Sequence, residues 1–314
     1  MIQWGVLGTG KIARKMIASL SHSQLGRLEA IASTNIHTRQ EFNNIKAYTH
    51  YEALLKDPDI DVIYIATPHQ YHAFWSIAAL QHKKAVLCEK PAVLKLSQMQ
   101  DICQVAQQNQ TFFMEAMKSK FTPAFQNLVA DLRCGVIGEI QKIEANFCSD
   151  SLYHIEQGHY LLDREQGGAW FDVGVYPIAF ALACMGKTPN RMTAVSQCQA
   201  GIDLYTRAEL IFDDEVTAIL EVAIDRIKER TAIIFGELGK IQVNLFNRTE
   251  QYEIIKDGQS TLYHSNFEVD DFFDQLEEVN RCLIEGRTES KIHSLQDSLN
   301  EIKVLETIRK QILP

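Results

Sequence analysis

This 314-residue chain has no C-x-x-C pair, no internal repeat and no low-complexity stretch. Nor does it contain an apolar run near the ~20 residues of a membrane span. Its seven cysteines (Cys88, Cys103, Cys134, Cys148, Cys184, Cys198 and Cys282) are odd in number and scattered, so neither a disulfide framework nor a zinc or other metal site is expected. They read as reduced, mostly buried small hydrophobes. Basic residues are also short: 31 Lys+Arg against 40 Asp+Glu leave a net charge of -9, and the overall balance favours neither nucleic acid nor an anionic membrane. The opening residues carry no basic segment followed by an apolar run and a small-residue cleavage site, so the expected location is the cytoplasm. What is present is core: 46% hydrophobic and only 23% charged residues in a chain of this length point to a soluble globular protein of two domains. No Gly/Ser/Pro-rich linker separates the halves, so the domains are expected to share a close interface.

The first ~120 residues alternate short apolar runs with helical patterns, the signature of a doubly wound parallel α/β sheet. Ile2–Leu7, Leu28–Ser33, Val62–Ala66, Ala85–Cys88 and Thr111–Glu115 read as strands. Helices are expected from about Thr38, over Tyr51–Leu55, over His72–Gln81, and over Ser97–Gln108 with Ser97 as its N-cap. From Phe121 the texture changes. After a helix over Pro123–Arg133, strands are expected over Glu139–Phe147, Met192–Gln199, Tyr205–Phe212, Val216–Ile224, Thr231–Phe235, Lys240–Leu245 and Gln251–Lys256, with a helix over Asp172–Met185. That order suggests an open, mostly antiparallel sheet with helices on one face, and Phe267–Glu285 and Ser294–Ile312 close the chain as helices. The division predicted is a Rossmann domain over 1–120 and an α+β substrate and dimerisation domain over 121–314, its last helix able to pack back on the first domain.

Five polar constellations carry chemistry. In Gly5-Val-Leu-Gly8-Thr9-Gly10-Lys11-Ile12-Ala13, Gly8 permits the tight turn and Gly10 brings backbone to a pyrophosphate, while Ala13 lets the helix pack on the sheet. The N–H groups of Thr9 to Ile12 then face the anion. The second-strand tip, Ser33-Thr34-Asn35, lacks the acid that would bond a ribose 2′-hydroxyl; with Arg39 it offers donors for a 2′-phosphate, so NADP is preferred over NAD. The alternative is that Ser33 and Asn35 are turn formers and Arg39 a solvated residue. Thr67-Pro68-His69-Gln-Tyr-His72 leaves a strand over the cofactor crevice; His69 and His72 are either cofactor neighbours or structural hydrogen-bonders. Cys88-Glu89-Lys90-Pro91 ends the next strand, where a partly desolvated Lys90 can hydrogen-bond a substrate oxygen with a lowered pKa. A cis Lys90–Pro91 bond would suit that loop. An isolated Glu-Lys-Pro would otherwise be a surface strand end.

In Gly167-Gly168-Ala-Trp-Phe-Asp172-Val-Gly174-Val-Tyr176-Pro177, Asp172 and Tyr176 fall four apart on one helix face, so one cavity can hold both. A phenol near an ammonium can exchange a hydroxyl proton while the carboxylate fixes the substrate. The competing reading makes Asp172 an N-cap and Tyr176 a core residue.

Taken together, Gly8-x-Gly10-x-x-Ala13, Thr67-Pro68-x-x-x-His72, Glu89-Lys90-Pro91 and Gly167-Gly168-x-x-x-Asp172-x-Gly174-x-Tyr176 resemble the glucose-fructose oxidoreductase/inositol dehydrogenase/MocA family. The specific motifs run to about residue 180. Tyr176, where the family often has histidine, makes the chain look more like the dimeric dihydrodiol dehydrogenase and NADP-dependent xylose dehydrogenase branch. The resemblance implies hydride transfer between NAD(P) and a sugar-like alcohol or carbonyl, with Lys90 and Tyr176 working the proton and Asp172 positioning substrate. It also implies a homodimer through the second-domain sheet. One segment departs from it: Lys118 stands where the family typically has a bulky apolar or aromatic residue, and Lys120 where it has arginine. Lys118 either brings a cation to the substrate pocket, favouring an acidic or phosphorylated substrate, or points to solvent. The region Tyr153–Tyr160, with His154 and His159, reads as a loop over the pocket mouth. Two other functions fit the same fold: a non-catalytic dinucleotide-binding regulator, disfavoured because Lys90, Asp172 and Tyr176 are all present, and eliminative glycoside cleavage with transient use of the cofactor.

Overall fold

The computed structural model describes residues 1–35, 42, 44–152, 159–213 and 216–313. The chain divides into two units, Met1–Met117 with Glu268–Leu299, and Lys118–Phe267 with Asn300–Pro314.

In the first unit, strands β1 (Ile2–Leu7), β2 (Gly26–Ala32), β3 (Lys46–Tyr48), β4 (Val62–Ile65), β5 (Ala85–Glu89) and β6 (Phe113–Ala116) pair in parallel, in the order β3-β2-β1-β4-β5-β6. The order reverses between β1 and β4, so their connections leave in opposite directions and a crevice opens at their carboxyl ends. Helices α1 (Lys11–Leu20), α2 (Tyr51–Leu55), α3 (His72–Gln81) and α4 (Leu96–Asn109) belong to this unit. Strands β4 and β5 are buried along their whole length, which is why their sequences show no polar alternation. The face of α1 that packs inward is Ala13, Met16 and Leu20, spaced as one helical stripe.

The second unit contains α5 (Pro123–Arg133), β7 (Ile140–Cys148), α6 (Ala169–Asp172), α7 (Val175–Met185), β8 (Arg191–Gln199), β9 (Ile202–Ile211), β10 (Thr217–Ala223), β11 (Thr231–Gly236), β12 (Lys240–Asn244), β13 (Gln251–Lys256) and β14 (Gln259–His264). Its eight strands lie in the order β14-β13-β12-β11-β7-β10-β9-β8, antiparallel except for the parallel pair β7 and β10. One face, with Ile143, Ala145, Phe147, Leu220 and Ile234, is buried and covered by α5 and α7. The other face carries the cross-strand row Leu262–Glu253–Gln242–Ile233–Glu144–Ile219, an apolar and charged mixture that no helix covers among the described residues.

The last segments are α8 (Phe273–Ile284) and α9 (Leu295–Ile312). The stretch 268–299 returns to the first unit, where the Trp4 indole N–H donates to Asn280 Oδ1 at 2.9 Å and Ser19 Oγ to Asp270 Oδ1 at 2.9 Å. Relative to the expected division near residue 120, the stretch 268–299, with α8, groups with the first unit, and residues 300–314 group with the second. An amphipathic helix such as α8 does not announce in its sequence which sheet it covers.

Three further expectations change. The helix expected over Asp172–Met185 is two helices, broken at Val173–Gly174. The cap of α4 is not Ser97; the Gln98 side-chain carbonyl accepts the Leu94 and Lys95 N–H groups, both at 3.1 Å. Edge strands β3 and β14 are additional. The helix expected from about Thr38 lies outside the described residues. Among the described residues, no helix is long and apolar enough to cross a membrane.

Candidate active site

In the first unit, Gly8 leaves β1 at φ +87, and a Cβ there would stand 2.6 Å from the Ala66 carbonyl oxygen, so only glycine makes this turn without displacement. Gly10 is extended and precedes α1, and nothing lies within 4 Å of where its Cβ would be. The first turn of α1 has no side-chain cap and no acidic residue, which leaves its N–H groups to an external acceptor. Across the crevice, the Thr67 Oγ1 is buried without a hydrogen-bond partner. An open backbone cradle, an uncapped helix start and an orphaned hydroxyl together fit the diphosphate of a dinucleotide. Lys11 and Ile12 are exposed on the first turn.

At the β2 tip, Ser33 Oγ accepts from Thr9 Oγ1 at 2.8 Å and from the Asn35 N–H at 3.2 Å, and Thr34 is exposed. Arg39 lies outside the described residues.

His72 is fully buried, with Nδ1 2.9 Å from the Pro91 carbonyl and Nε2 2.7 Å from the Thr67 carbonyl. It ties the loop after β4 to the loop after β5. Burial pushes its pKa down, outweighing the two carbonyls that favour the protonated ring. His69 is buried beside it, ring centroids 5.5 Å apart. Glu89 accepts from the Tyr64 hydroxyl and, at 3.3 Å, from the Lys90 N–H. Lys90 is half-buried and its bond to Pro91 is cis. Beyond Pro91, the Ala92 N–H donates to Glu115 Oε1 at 2.8 Å. Burial alone would raise the Glu115 pKa, but His293, the Ala92 N–H and Ser298 hold it below the ordinary carboxylate value. The residues Gly8 to Ile12, Ser33, Thr34, Thr67 to His72, Glu89 and Lys90 thus gather along the carboxyl edge of one parallel sheet.

In the second unit, the Gly-Gly segment is held by an acid that its own sequence does not reveal. Gly168 has φ +91, and a Cβ would fall on Asp203 Oδ1. Asp203 is fully buried; its Oδ2 accepts the Trp170 N–H at 2.8 Å and the Thr206 hydroxyl at 2.9 Å. Burial pushes its pKa up to about 6, against those donors and the Arg309 charge. The Trp170 indole N–H donates to the Leu305 carbonyl at 2.9 Å. A Cβ at Gly174 would collide with the Trp170 carbonyl oxygen, and the Gly174 N–H donates to that oxygen at 3.1 Å. The chain therefore ends α6 at Asp172 and restarts at Val175.

Asp172 is half-buried and its Oδ1 accepts from the Tyr160 hydroxyl at 3.0 Å. Tyr176, in the first turn of α7, sets its ring 5.4 Å from that of Phe147. The Arg230 guanidinium stands over the same Phe147 ring at 4.2 Å. Lys118 is half-buried on the turn Lys118–Lys120, which packs against α7, and Lys120 is buried 3.4 Å from Glu301. Of the anticipated loop 153–160, His154 lies outside the described residues, while His159 Nδ1 accepts the Leu161 N–H at 3.2 Å. The second unit thus brings Asp172, Tyr176 and Lys118 to elements that adjoin one another. Tyr160, Asp203 and Arg230 are additions to that set. The available sequence signal was an acid on an inward strand position for Asp203, and for Arg230 a cation flanking a strand that pairs with β7.

A model of an oxidoreductase family with an NAD-binding Rossmann fold matches residues 2–117, and the GFO/IDH/MocA C-terminal domain model matches residues 125–242. The trans-1,2-dihydrobenzene-1,2-diol dehydrogenase of Xenopus tropicalis is 30% identical over 326 residues, covering 99% of this chain and 98% of the relative. A Bacillus subtilis scyllo-inositol 2-dehydrogenase (NADP(+)) is 27% identical over 326 residues, covering 99% and 97%. Among solved structures, a 3-ketoreductase from Actinomadura kijaniata in complex with NADP and TDP-benzene superposes with a TM-score of 0.89 at 24% identity, covering 99% of this chain and 98% of the other. An aldose-aldose oxidoreductase from Caulobacter crescentus gives 0.90 at 18% identity, covering 99% and 97%. At these identities the superpositions speak for the fold.

Proposed function

The chain belongs to the GFO/IDH/MocA oxidoreductase family, with an NAD-binding Rossmann domain, and from that premise we propose an NADP-preferring dehydrogenase or reductase acting on a sugar, polyol or cyclic diol. The observation that carries this reading is the donor set of the first unit: the Gly8 turn, the open backbone at Gly10, the uncapped start of α1 and the partnerless Thr67 hydroxyl. These groups hold the diphosphate. Ser33 and Thr34 at the β2 tip, and Arg39 in the sequence that follows, offer donors rather than a carboxylate, which favours a 2′-phosphate. Relatives named for diol and NADP-dependent inositol oxidation lie in the same direction.

The dinucleotide, when bound, supplies a nicotinamide able to accept or give a hydride. This chain's own residues do the rest. Lys90 and Tyr176 exchange the hydroxyl proton, which leaves the alcohol during oxidation and returns to the carbonyl oxygen during reduction. Asp172, steadied by Tyr160, accepts hydrogen bonds from substrate hydroxyls and fixes their orientation. His72 and Glu89 act as positioning residues by fixing the loop that presents Lys90. The reading also makes the chain a cytoplasmic homodimer joined through the uncovered face of its antiparallel sheet. Val195 and Leu262 are 65% and 63% exposed on that face.

The test is a screen of NADP+ and NAD+ against aldoses, polyols, sugar acids and trans-diols, read by reduced-nicotinamide absorbance beside a Lys90→Ala control. The absorbance should change with at least one class, faster with NADP+, and be lost in the control. Substrate consumption with no net cofactor change would overturn the reading in favour of eliminative chemistry.

A further inference from the structure

The wall around Tyr176 carries a cation that a neutral polyol does not require. In the segment Asp225–Arg230, Arg226 is held by both oxygens of Asp225 at 2.8 Å, and Lys228 by Glu221 at 2.6 Å. Arg230 is different. Among the described residues no carboxylate lies within ion-pair reach of it, and the titratable groups that act on it are the Tyr176 phenol and Arg248, the latter of its own sign. It is half-buried, and burial pushes its pKa down. The Phe147 ring beneath it at 4.2 Å recovers part of that cost by a cation–π contact. Burying a guanidinium without a counterion is unfavourable, and a planar fork of donors matches the two oxygens of a carboxylate or phosphate.

Two further cations lie on neighbouring elements. Arg248, whose guanidinium stands 5.6 Å from the Phe267 ring, lies on the turn Phe246–Arg248. That turn packs against the turn Lys118–Lys120, which brings Lys118 to the same group of elements, and both turns pack against α7, the helix that carries Tyr176. Tyr176 and Arg230 flank a single aromatic ring.

We propose that Arg230, seconded by Arg248 and Lys118, binds an anionic substituent of the substrate, a carboxylate or a phosphate, so that the physiological substrate is an acidic sugar derivative rather than a neutral polyol. The proposal rests on Tyr176 being the phenol that meets the substrate. Arg230 is the specificity residue: a site built around an unpaired cation discriminates against a ligand that leaves it unpaired.

The experiment measures calorimetric binding of D-glucose, D-glucuronate and D-glucose 6-phosphate to the full chain, with and without NADPH, in the wild type, Arg230→Gln and Arg230→Lys. At least one of the two anions should bind ~10- to 100-fold more tightly than glucose, as a charge-assisted bidentate contact provides. Glucuronate leading identifies a carboxylate, the 6-phosphate a phosphate. Arg230→Gln should collapse the preference while Arg230→Lys keeps part of it, and unchanged NADPH affinity shows that the variants are folded. Glucose binding as tightly as the anions, none of the three binding, or a preference that survives Arg230→Gln would each overturn the proposal. The hydride-transfer reading fails separately: anion preference without any nicotinamide absorbance change defeats it and leaves the anion site standing, whereas turnover of glucose with no preference does the reverse.

Discussion

Replacing Asp203 by asparagine is expected to stabilise the protein at neutral pH. The side chain is fully buried, both of its donors share Oδ2, and Oδ1 has no partner. Burial therefore prevails and lifts the pKa from an ordinary 3.8 to about 6. A carboxyl that holds its proton more tightly in the folded state than in the unfolded one stabilises the fold fully at low pH, and that contribution drains away as pH rises toward the folded value. At ~1.4 kcal/mol for each tenfold change in proton affinity, the loss amounts to about 3 kcal/mol. Asparagine keeps an oxygen for the Trp170 N–H and the Thr206 hydroxyl and does not titrate. The stability difference between Asp203→Asn and wild type should thus be near zero at about pH 3 and grow toward ~3 kcal/mol by about pH 7. Denaturant unfolding followed by tryptophan fluorescence across that range measures it, with Trp170 as a reporter inside the affected segment. A difference that stays flat with pH, or a wild type more stable than the variant at neutrality, would refute the reasoning. Asp203→Ala should behave oppositely, costing ~1–3 kcal/mol because the Trp170 N–H loses its acceptor.

Gly8→Ala should weaken NADPH binding at least ~10-fold, because a side chain at φ +87 meets the Ala66 carbonyl and displaces the turn; a fluorescence titration within threefold of wild type would contradict this. Lys90→Met and Tyr176→Phe should each lower kcat by ~10²- to 10⁴-fold with little change in NADPH affinity, and the pH–rate profile should lose a limb. A kcat near the wild-type value in both would remove them from proton transfer. Ile233→Glu, on the uncovered sheet face, should convert a dimer to monomers in light scattering, and a wild type already of single-chain mass would rule out that interface.

The first unit was legible because parallel strands buried on both faces write themselves as unbroken apolar runs, and because Gly8 and Gly10 leave a turn that few other residues can make. The short strand β3 and the edge strand β14 were not, since Lys46-Ala-Tyr48 and Gln259–His264 are exposed or polar and owe their extension to a neighbour rather than to a hydrophobic alternation. The break between α6 and α7 was hidden for a related reason. Val173-Gly174 reads as a tolerable helix interior, and it is the clamp from Asp203, far along the chain, together with the close approach of Gly174 to the Trp170 carbonyl that stops it. In the candidate site, residue types and order pointed to Lys90, Asp172 and Tyr176 as the groups to examine. Arg230 escaped notice because Lys-Glu-Arg before a strand looks like a solvated charge run, and only the register of β11 on β7 sets it beside Phe147.

The return of residues 268–299 to the nucleotide-binding unit governs how this protein can be made. Trp4, on the first strand of that unit, waits for Asn280, which is synthesised 276 residues later. The amino-terminal sheet is thus synthesised long before its closing helix exists, and must pass much of translation incomplete. A shortened clone ending near residue 120 would leave the Trp4 indole N–H without its acceptor, and a faithful nucleotide-binding fragment would have to be built by splicing 268–299 onto it.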